Sequence, residues 1–401
     1  MKSIPNPKAA YGSSFWLLCV ISLLAFISYD LIRSPLLPLF AENLGAHPET
    51  IGLIVGISTM TGILFKLPAG TLSDLLGRRR LLLIGLLVFA AAPYFYFRVH
   101  HVWTLMLLRA FHGLATAIFA PVAMAVVVDL FREGRAEALG WYSSFSQAGR
   151  LSGRMIGGYL IVWFGFRPTF GICAAIGLIL LVLFFRLRLP EDHPGMASIR
   201  HESPASLLQG LREVGSDRRV LATSGMEAVQ MTAAGALMAF LPLYGIKVGL
   251  HAGEVGLLFG AMGLASILAR PVMGRISDRI GRRPMIVAGQ IVCAAVMMMI
   301  PYLTGLTVLL ILSLVFGFGE AVIGSSTSAM VADLCKKKSL GSAMGVFGTI
   351  MDIGHASGPI LSGVLIGSVG YTGAFNGLGA LLIVMTTLFL VSQKPVSDRG
   401  S

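Results

Sequence analysis

Ten ionisable side chains sit inside long apolar stretches of this sequence: Asp30, Arg33, Lys66, Arg109, Arg150, Arg154, Glu227, Arg270, Glu320 and Asp352. Charge in such surroundings is costly, so each is a candidate functional group. Six are cations and four are acids. Unpaired buried charge is unfavourable by several kcal/mol, so the positive excess predicts water or an anionic ligand among them. Asp30 has Arg33 three residues on, an acid and a base on the same helix face. Glu320 and Asp352 are secondary candidates, and Glu227, only about two turns inside its run, is the weakest. Arg150 and Arg154 share a face with Gln147 at steps of three and four. Their planar forks suit carboxylate or phosphate. His355, three residues after Asp352, is evenly balanced between relay and packing, whereas His112 reads as a packed helix contact. No His, Cys, Asp or Glu set has metal-ligand spacing, and neither a metal nor a cofactor is expected.

The elements that must hold these groups are membrane helices. Of 401 residues, 55% are hydrophobic and 12% charged, half the roughly 25% charged content of a soluble domain. About 20 apolar residues cross the hydrocarbon. Twelve such runs are present, near 15–40, 51–72, 81–99, 103–129, 138–163, 168–189, 221–246, 254–276, 285–303, 305–332, 342–367 and 371–393. The reading is an all-α membrane protein with no soluble domain. Cys19, Cys173, Cys293 and Cys335 form no CxxC pair and read as small apolar side chains. The polar stretch before residue 15 precedes a run too long for a cleaved signal peptide.

The net charge of +12 could suggest nucleic acid, but its placement excludes that. With the N-terminus inside, cytoplasmic segments carry 21 Lys and Arg, and outer loops carry only Arg98, Arg167 and Lys247. The positive-inside rule then puts both termini in the cytoplasm. The longest hydrophilic break, 190–220, separates an N-terminal six-helix bundle (1–189) from a C-terminal one (221–401). Leu207, Leu208, Leu211 and Val214 within the linker have the spacing of a short amphipathic helix.

The halves repeat. Adding 204 to residues 51–80 gives 11 identities in 30 without a gap, among them Gly52/Gly256, Gly70/Gly274, Asp74/Asp278, Gly77/Gly281, Arg78/Arg282 and Arg79/Arg283. The same shift pairs Asp129 with Asp333. Beyond the loop near 335 the shift is 205, pairing Gly149, Gly153 and Gly158 with Gly354, Gly358 and Gly363. Parallel repeats predict a solute site at their interface.

The segments Gly70–Arg80 and Gly274–Arg283 resemble motif A of the major facilitator superfamily, once in each half. Leu105-x-x-x-Arg109-x-x-x-Gly113 resembles motif B, whose arginine is tied to proton transfer in that family. Gly149-x-x-x-Gly153-x-x-x-Gly157-Gly158 is similar to motif C of its drug/proton antiporters, with Arg154 where that motif usually has proline; Gly358-Pro359 keeps it. The resemblance covers essentially the whole chain. It implies the major facilitator fold, twelve transmembrane helices in two pseudo-symmetric six-helix bundles working by alternating access. It pairs Asp30 with Arg109 as the proton switch, the competing role being a static ion pair. It makes Gly70, Asp74, Gly77, Arg78, Arg79, Asp129 and Arg135, with Gly274, Asp278, Gly281, Arg282, Arg283 and Asp333, the gating latches. It also implies that Lys66 meets Asp352 and His355, and that Arg270 meets Arg150 and Arg154. With Arg33, the residues Lys66, Arg150, Arg154, Arg270 and His355 are the substrate-binding candidates.

The expected function is proton-coupled antiport, exporting a small amphipathic compound. The alternative is a proton-coupled transporter, possibly an importer, of an organic or phosphorylated anion. A non-transporting sensor or assembly factor is the third class. No nucleotide-binding motif is present, and no enzyme is expected. The partners are a small-molecule substrate, protons and the lipid bilayer, without nucleic acid. The compact loops suggest a monomer in a bacterial inner membrane.

Overall fold

The computed structural model describes residues 12–131, 134–189, 217–335 and 340–392, leaving aside the side chains of residues 67, 70, 71, 74, 340, 341 and 392. Every long element among them is a helix. Hydrocarbon offers no partner for backbone N–H and C=O groups, so a spanning segment must satisfy them internally. In chain order the helices are α1 (Ser13–Asn43), α2 (Pro48–Leu76), α3 (Arg78–Tyr96), α4 (Val102–Leu130), α5 (Arg135–Phe164) and α6 (Phe166–Arg186). There follow α7 (Arg218–Lys247), α8 (Ala252–Ile280), α9 (Arg282–Met299), α10 (Leu306–Leu334) and α11 (Leu340–Ser392).

Ten candidate spans among the described residues are long and apolar enough to cross a membrane. Two local features separate that number from the twelve expected runs. The stretch Ser342–Val391 counts as one span of 50 residues, but it breaks at Gly370, where φ is 71°. The eleventh and twelfth runs are its two sides. The other feature is α5, thirty residues long. It is outside the ten because Arg135, Arg150 and Arg154 dilute its apolar content.

The chain divides into two compact units: Met1–Ala46 with Met60–Ile199, and His47–Thr59 with Arg200–Ser401. Most of the expected linker lies outside the described residues, as does the amphipathic helix within it. The start of α2 groups with the second unit because Gly52 and Gly56 pack against the α11 backbone at Pro359 and Ala356. In the first unit, Phe15, Phe89, Phe119 and Phe184 belong to one buried apolar cluster.

Two close helix contacts carry the repeat into three dimensions. In the first unit, α5 presses its glycines onto the backbone of α1. A Cβ at Gly149 would clash with the Leu23 carbonyl oxygen, and one at Gly153 would lie 2.6 Å from that of Ile27. In the second unit, Gly354 and Gly358 of α11 abut the carbonyls of Ala228 and Thr232 on α7 in the same way. Adding 205 to all four numbers of the first contact gives all four of the second. Such small-residue seams are how helices associate where lipid removes the usual hydrophobic drive. Gly77 and Gly281, with φ of 93° and 105°, start α3 and α9 in a backbone conformation that only glycine adopts freely.

Helix α1 is interrupted just past Asp30. Residues Ile32–Leu36 form a π turn containing Pro35, with Ser34 extended at φ −161° and ψ 131°. Pro35 has no N–H to donate, so the regular ladder cannot run through this point.

The seam is directly testable. Gly354→Ala is expected to lower the thermal unfolding midpoint in detergent by the equivalent of about 1–3 kcal/mol of overpacking. Gly345→Ala, where an added Cβ meets nothing within 4 Å, is expected to leave it unchanged or raise it. Equal midpoints for the two variants would contradict the close contact.

Candidate functional site

The glycine seam decides where the charges of the first unit meet. Arg150 and Arg154 each follow a seam glycine, so both guanidinium groups start close to the α1 backbone. They converge on Asp30, which is wholly buried. Arg154 Nε donates to Asp30 Oδ1 at 3.1 Å, and Arg150 Nη1 lies 3.5 Å from Oδ2. Arg150 also lies over the Phe26 ring, 3.8 Å from its centre, one turn before Asp30. The aspartate is thus bridged by two cations of α5.

This corrects the expected partner of Asp30. Arg109 of α4 is also fully buried, but it stands over the Tyr29 ring, 5.0 Å from the ring centre. Its guanidinium group is within hydrogen-bonding reach of the Tyr96 hydroxyl and within electrostatic reach of Asp30, without forming an ion pair to it. The reason is helical geometry: adjacent residues point about 100° apart. Tyr29 faces the aromatic groups of α3 and α4, its ring 6.0 Å from Phe89 and 4.8 Å from His112. Asp30 consequently faces α5. His112 is packed among Tyr29, Phe89 and Tyr96, and the Tyr96 hydroxyl lies 3.3 Å from its Nδ1. Arg33, three residues beyond Asp30, is half-buried within the π turn.

The second unit gathers a different set. Arg270 of α8 pairs with Glu320 of α10 at 3.4 Å, and its Nε donates to Ser266 Oγ. The buried Glu227 of α7 faces Thr327 of α10, whose Oγ1 lies 2.6 Å from Glu227 Oε2. Sequence reasoning ranked Glu227 last because of its short distance from the end of its run, yet it is 4% exposed. Its signal was the polar set Gln230, Gln290 and Thr327 in apolar runs. An apolar groove of about 520 Å³ lies between α8 and α10, lined by Ala265, Leu268, Val272, Leu314 and Phe318 among others. Lys66 belongs to the first unit, and Asp352 and His355 to the second. Among the described residues, no group of three or more His, Cys, Asp or Glu could hold a metal ion.

The expected latches are built twice. Arg78 Nε meets Asp129 Oδ2 at 3.0 Å, and Arg282 Nε meets Asp333 Oδ2 at 3.1 Å. The second pair is the first with 204 added to both numbers. Arg78 also donates to Ser73 Oγ, and Arg282 pairs with Asp278. Gly70 and the side chain of Asp74 lie outside what is described. Arg135, expected in the same cluster, donates through Nε to the Phe131 carbonyl at 2.7 Å and so closes the end of α4. Arg79 stands 5.7 Å from the Phe184 ring centre, and Arg283 donates to the Leu390 carbonyl.

Comparison with known proteins agrees with the architecture. Residues 18–253 and 223–401 match the sequence model of the Major Facilitator Superfamily. An uncharacterised MFS-type transporter of Methanocaldococcus jannaschii is 23% identical over 88% of this chain and 91% of its own. The multidrug resistance protein MdtG of Dickeya zeae is 25% identical over 96% of this chain and 94% of its own. Among solved structures, a bacterial homologue of the human lysosomal transporter Spinster superposes with a TM-score of 0.80 at 17% identity, covering 99% of this chain and 100% of that one. The nucleoside transporter NupG superposes with a TM-score of 0.80 at 13% identity, covering 96% and 100%. At these identities the superpositions establish the fold. The family match extends over nearly the whole sequence, and this chain, a multi-pass membrane transporter and not an enzyme, belongs to the major facilitator superfamily.

Proposed function

We propose that this transporter is a proton-coupled antiporter that exports a small amphipathic compound by alternating access. The observation that carries the reading is the wholly buried Asp30 carboxylate bridged by Arg150 and Arg154. A proton arriving on Asp30 removes the one negative charge that both arginines share. Buried cations without a counter-charge are unfavourable, so the two guanidinium groups must then find water, solute or new partners. The same step run backwards expels the proton. A cationic solute competes with the proton for this one carboxylate, which is what exchange requires. The π turn beside Asp30 gives the backbone a local break, and such turns occur often at functional sites. The multidrug relatives support export, and the apolar groove suits the non-polar part of an amphipathic solute. Arg109, stacked on Tyr29 next to Asp30, is a positioning group in this scheme. Glu320 and Asp352 are secondary proton carriers. The protein acts as a monomer in a bacterial inner membrane with both termini in the cytoplasm, and the two latches hold the outward-facing state.

A second reading rests on charge. Among the described residues, the interior of the first unit sets Arg33, Arg109, Arg150 and Arg154 against one buried carboxylate, Asp30. That excess of positive charge favours a solute with a carboxylate or phosphate group.

Two measurements test these readings. In proteoliposomes with an imposed pH gradient, the wild type is expected to move a lipophilic cationic dye against its concentration, and Asp30→Asn to lose at least about tenfold of that rate, or ~1.4 kcal/mol in the barrier. Gradient-insensitive flux, or an unchanged rate in Asp30→Asn, would contradict proton coupling through this residue. If cation export survives Arg150→Ala combined with Arg154→Ala, the anion reading fails; a phosphorylated or carboxylate solute moved by the wild type and lost in that variant would establish it.

The second measurement is stability. Removing one partner of a buried ion pair costs about 3–5 kcal/mol. Both arginines are about a quarter exposed, which places Asp30→Asn at or below the lower end. Its unfolding midpoint is expected to fall accordingly, and Arg154→Gln added to Asp30→Asn to cost less than the sum of the two single changes. Strict additivity would mean that the pair is not coupled.

A further inference from the structure

The repeat that builds both glycine seams does not repeat the charges. Adding 205 converts Asp30, Arg150 and Arg154 into Gly235, His355 and Pro359. At Gly235 a Cβ would lie only 2.6 Å from the His355 carbonyl oxygen, so the second unit closes the place that Asp30 occupies in the first. Its own acids stand where the first unit has none: with the same shift Glu227 answers to Ser22, and with the shift of 204 that holds for α10 Glu320 answers to Thr116.

Glu227 and Glu320 share one cation. Glu320 holds Arg270 at 3.4 Å. Glu227 faces the same arginine across Gly324, where a Cβ would lie 3.5 Å from Glu227 Oε1 and 4.0 Å from Arg270 Nη2. No ion pair to Glu227 forms among the described residues. Buried polar side chains accompany it: Gln230, one turn along α7 and within hydrogen-bonding reach of Cys293, Ser326, beside Thr327 on α10, and Gln290, whose Nε2 donates to the Met226 carbonyl. Cys293 of α9 is within electrostatic reach of both glutamates. Glu320 and Arg270 are the charged groups that act on Glu227. Helix α11, which packs on α7 at Ala228 and Thr232, carries Asp352 and His355. Two carboxylates against one guanidinium leave a net negative charge, which is unfavourable at this depth.

Thr327 locates the remedy. Its Oγ1 lies 2.6 Å from Glu227 Oε2 and 2.9 Å from the Ile323 carbonyl oxygen. A hydroxyl has one proton to donate. If it goes to Ile323, the short contact to Glu227 requires a proton on the carboxyl; if Glu227 is ionised, the hydroxyl must turn to it and release Ile323. We propose that the second unit holds a proton-binding site of its own at Glu227, in which a proton from water bonds to Oε2, the carboxyl donates to Thr327, and Thr327 donates to Ile323. Release reverses each step: the O–H bond breaks, the proton returns to water, and Thr327 turns back to the carboxylate. Gln230 and Ser326 supply polar atoms for the waters that carry the proton. In the antiport scheme this site makes two protons available per cycle, one on Asp30 and one on Glu227. That consequence rests on the proposed function, whereas the site itself does not.

Infrared difference spectroscopy of the full-length protein in liposomes reads the site without a known solute. At neutral pH the wild type is expected to show a protonated carboxyl C=O band that shifts down in D2O. Glu227→Gln is expected to abolish this band, while Asp30→Asn and Asp352→Asn retain it. Thr327→Val, which removes the hydrogen-bond partner but keeps the acid, is expected to shift it to higher frequency and remains informative if Glu227→Gln does not fold. Absence of the band in the wild type, its persistence in Glu227→Gln, its loss in Glu320→Gln alone, or no shift in Thr327→Val would overturn the proposal. A band that behaves as expected, in a protein whose flux ignores the pH gradient, would uphold the site and reject the antiport reading.

Discussion

Contact between a glycine and a carbonyl oxygen is the constraint from which the rest of this molecule follows. At Gly149 and Gly153 in one unit, and at Gly354 and Gly358 in the other, the neighbouring helix comes so near that no side chain fits. The gain is dispersion contact between backbones, the available glue where lipid is as apolar as leucine. The consequence is chemical. A residue directly after such a glycine begins its side chain almost on the surface of the next helix. Arg150 and Arg154 therefore reach Asp30, and no loop or insertion is needed to assemble the cluster.

Duplication preserved this mechanical frame and let the chemistry drift. The seams and the pairs Arg78–Asp129 and Arg282–Asp333 superimpose in numbering. The interior charges do not. The first unit collects arginines around one acid, and the second collects acids around one arginine. A frame fixed by backbone contact tolerates such exchange, because the glycine contacts themselves do not involve the polar side chains. In the proposed scheme each unit binds a proton on different terms.

Much of this was legible in the sequence, for identifiable reasons. Hydropathy revealed the helices because a bilayer allows few other solutions. The repeat was visible because glycine seams and latch turns tolerate so few residue types; Gly77 and Gly281 need a backbone that other residues avoid. The partner of Asp30 was not legible. Arg109 is as deep as Arg150, and choosing between them requires the rotation of α1, which places Tyr29 toward α4 and Asp30 toward α5. Glu227 was undervalued for a related reason. Counting residues from the end of a run measures depth along the helix and says nothing about which neighbour covers it. Arg135 shows a contact that spacing does not reveal, a guanidinium group donating to the carbonyl at the end of α4.

Magnitudes assign the two kinds of ion pair to different tasks. The latch carboxylates Asp129 and Asp333 are 43% and 62% exposed, and pairs of that kind contribute about 0–1 kcal/mol each. Thermal motion breaks them readily, so they can bias a conformational equilibrium without freezing it. Asp30 is different. Separating it from both arginines while all three stay charged would cost several kcal/mol, too much to happen in every cycle unaided. A proton on the carboxylate removes that cost at its source. In the proposed mechanism the exposed pairs set the resting conformation, and the buried cluster makes departure from it conditional on a proton.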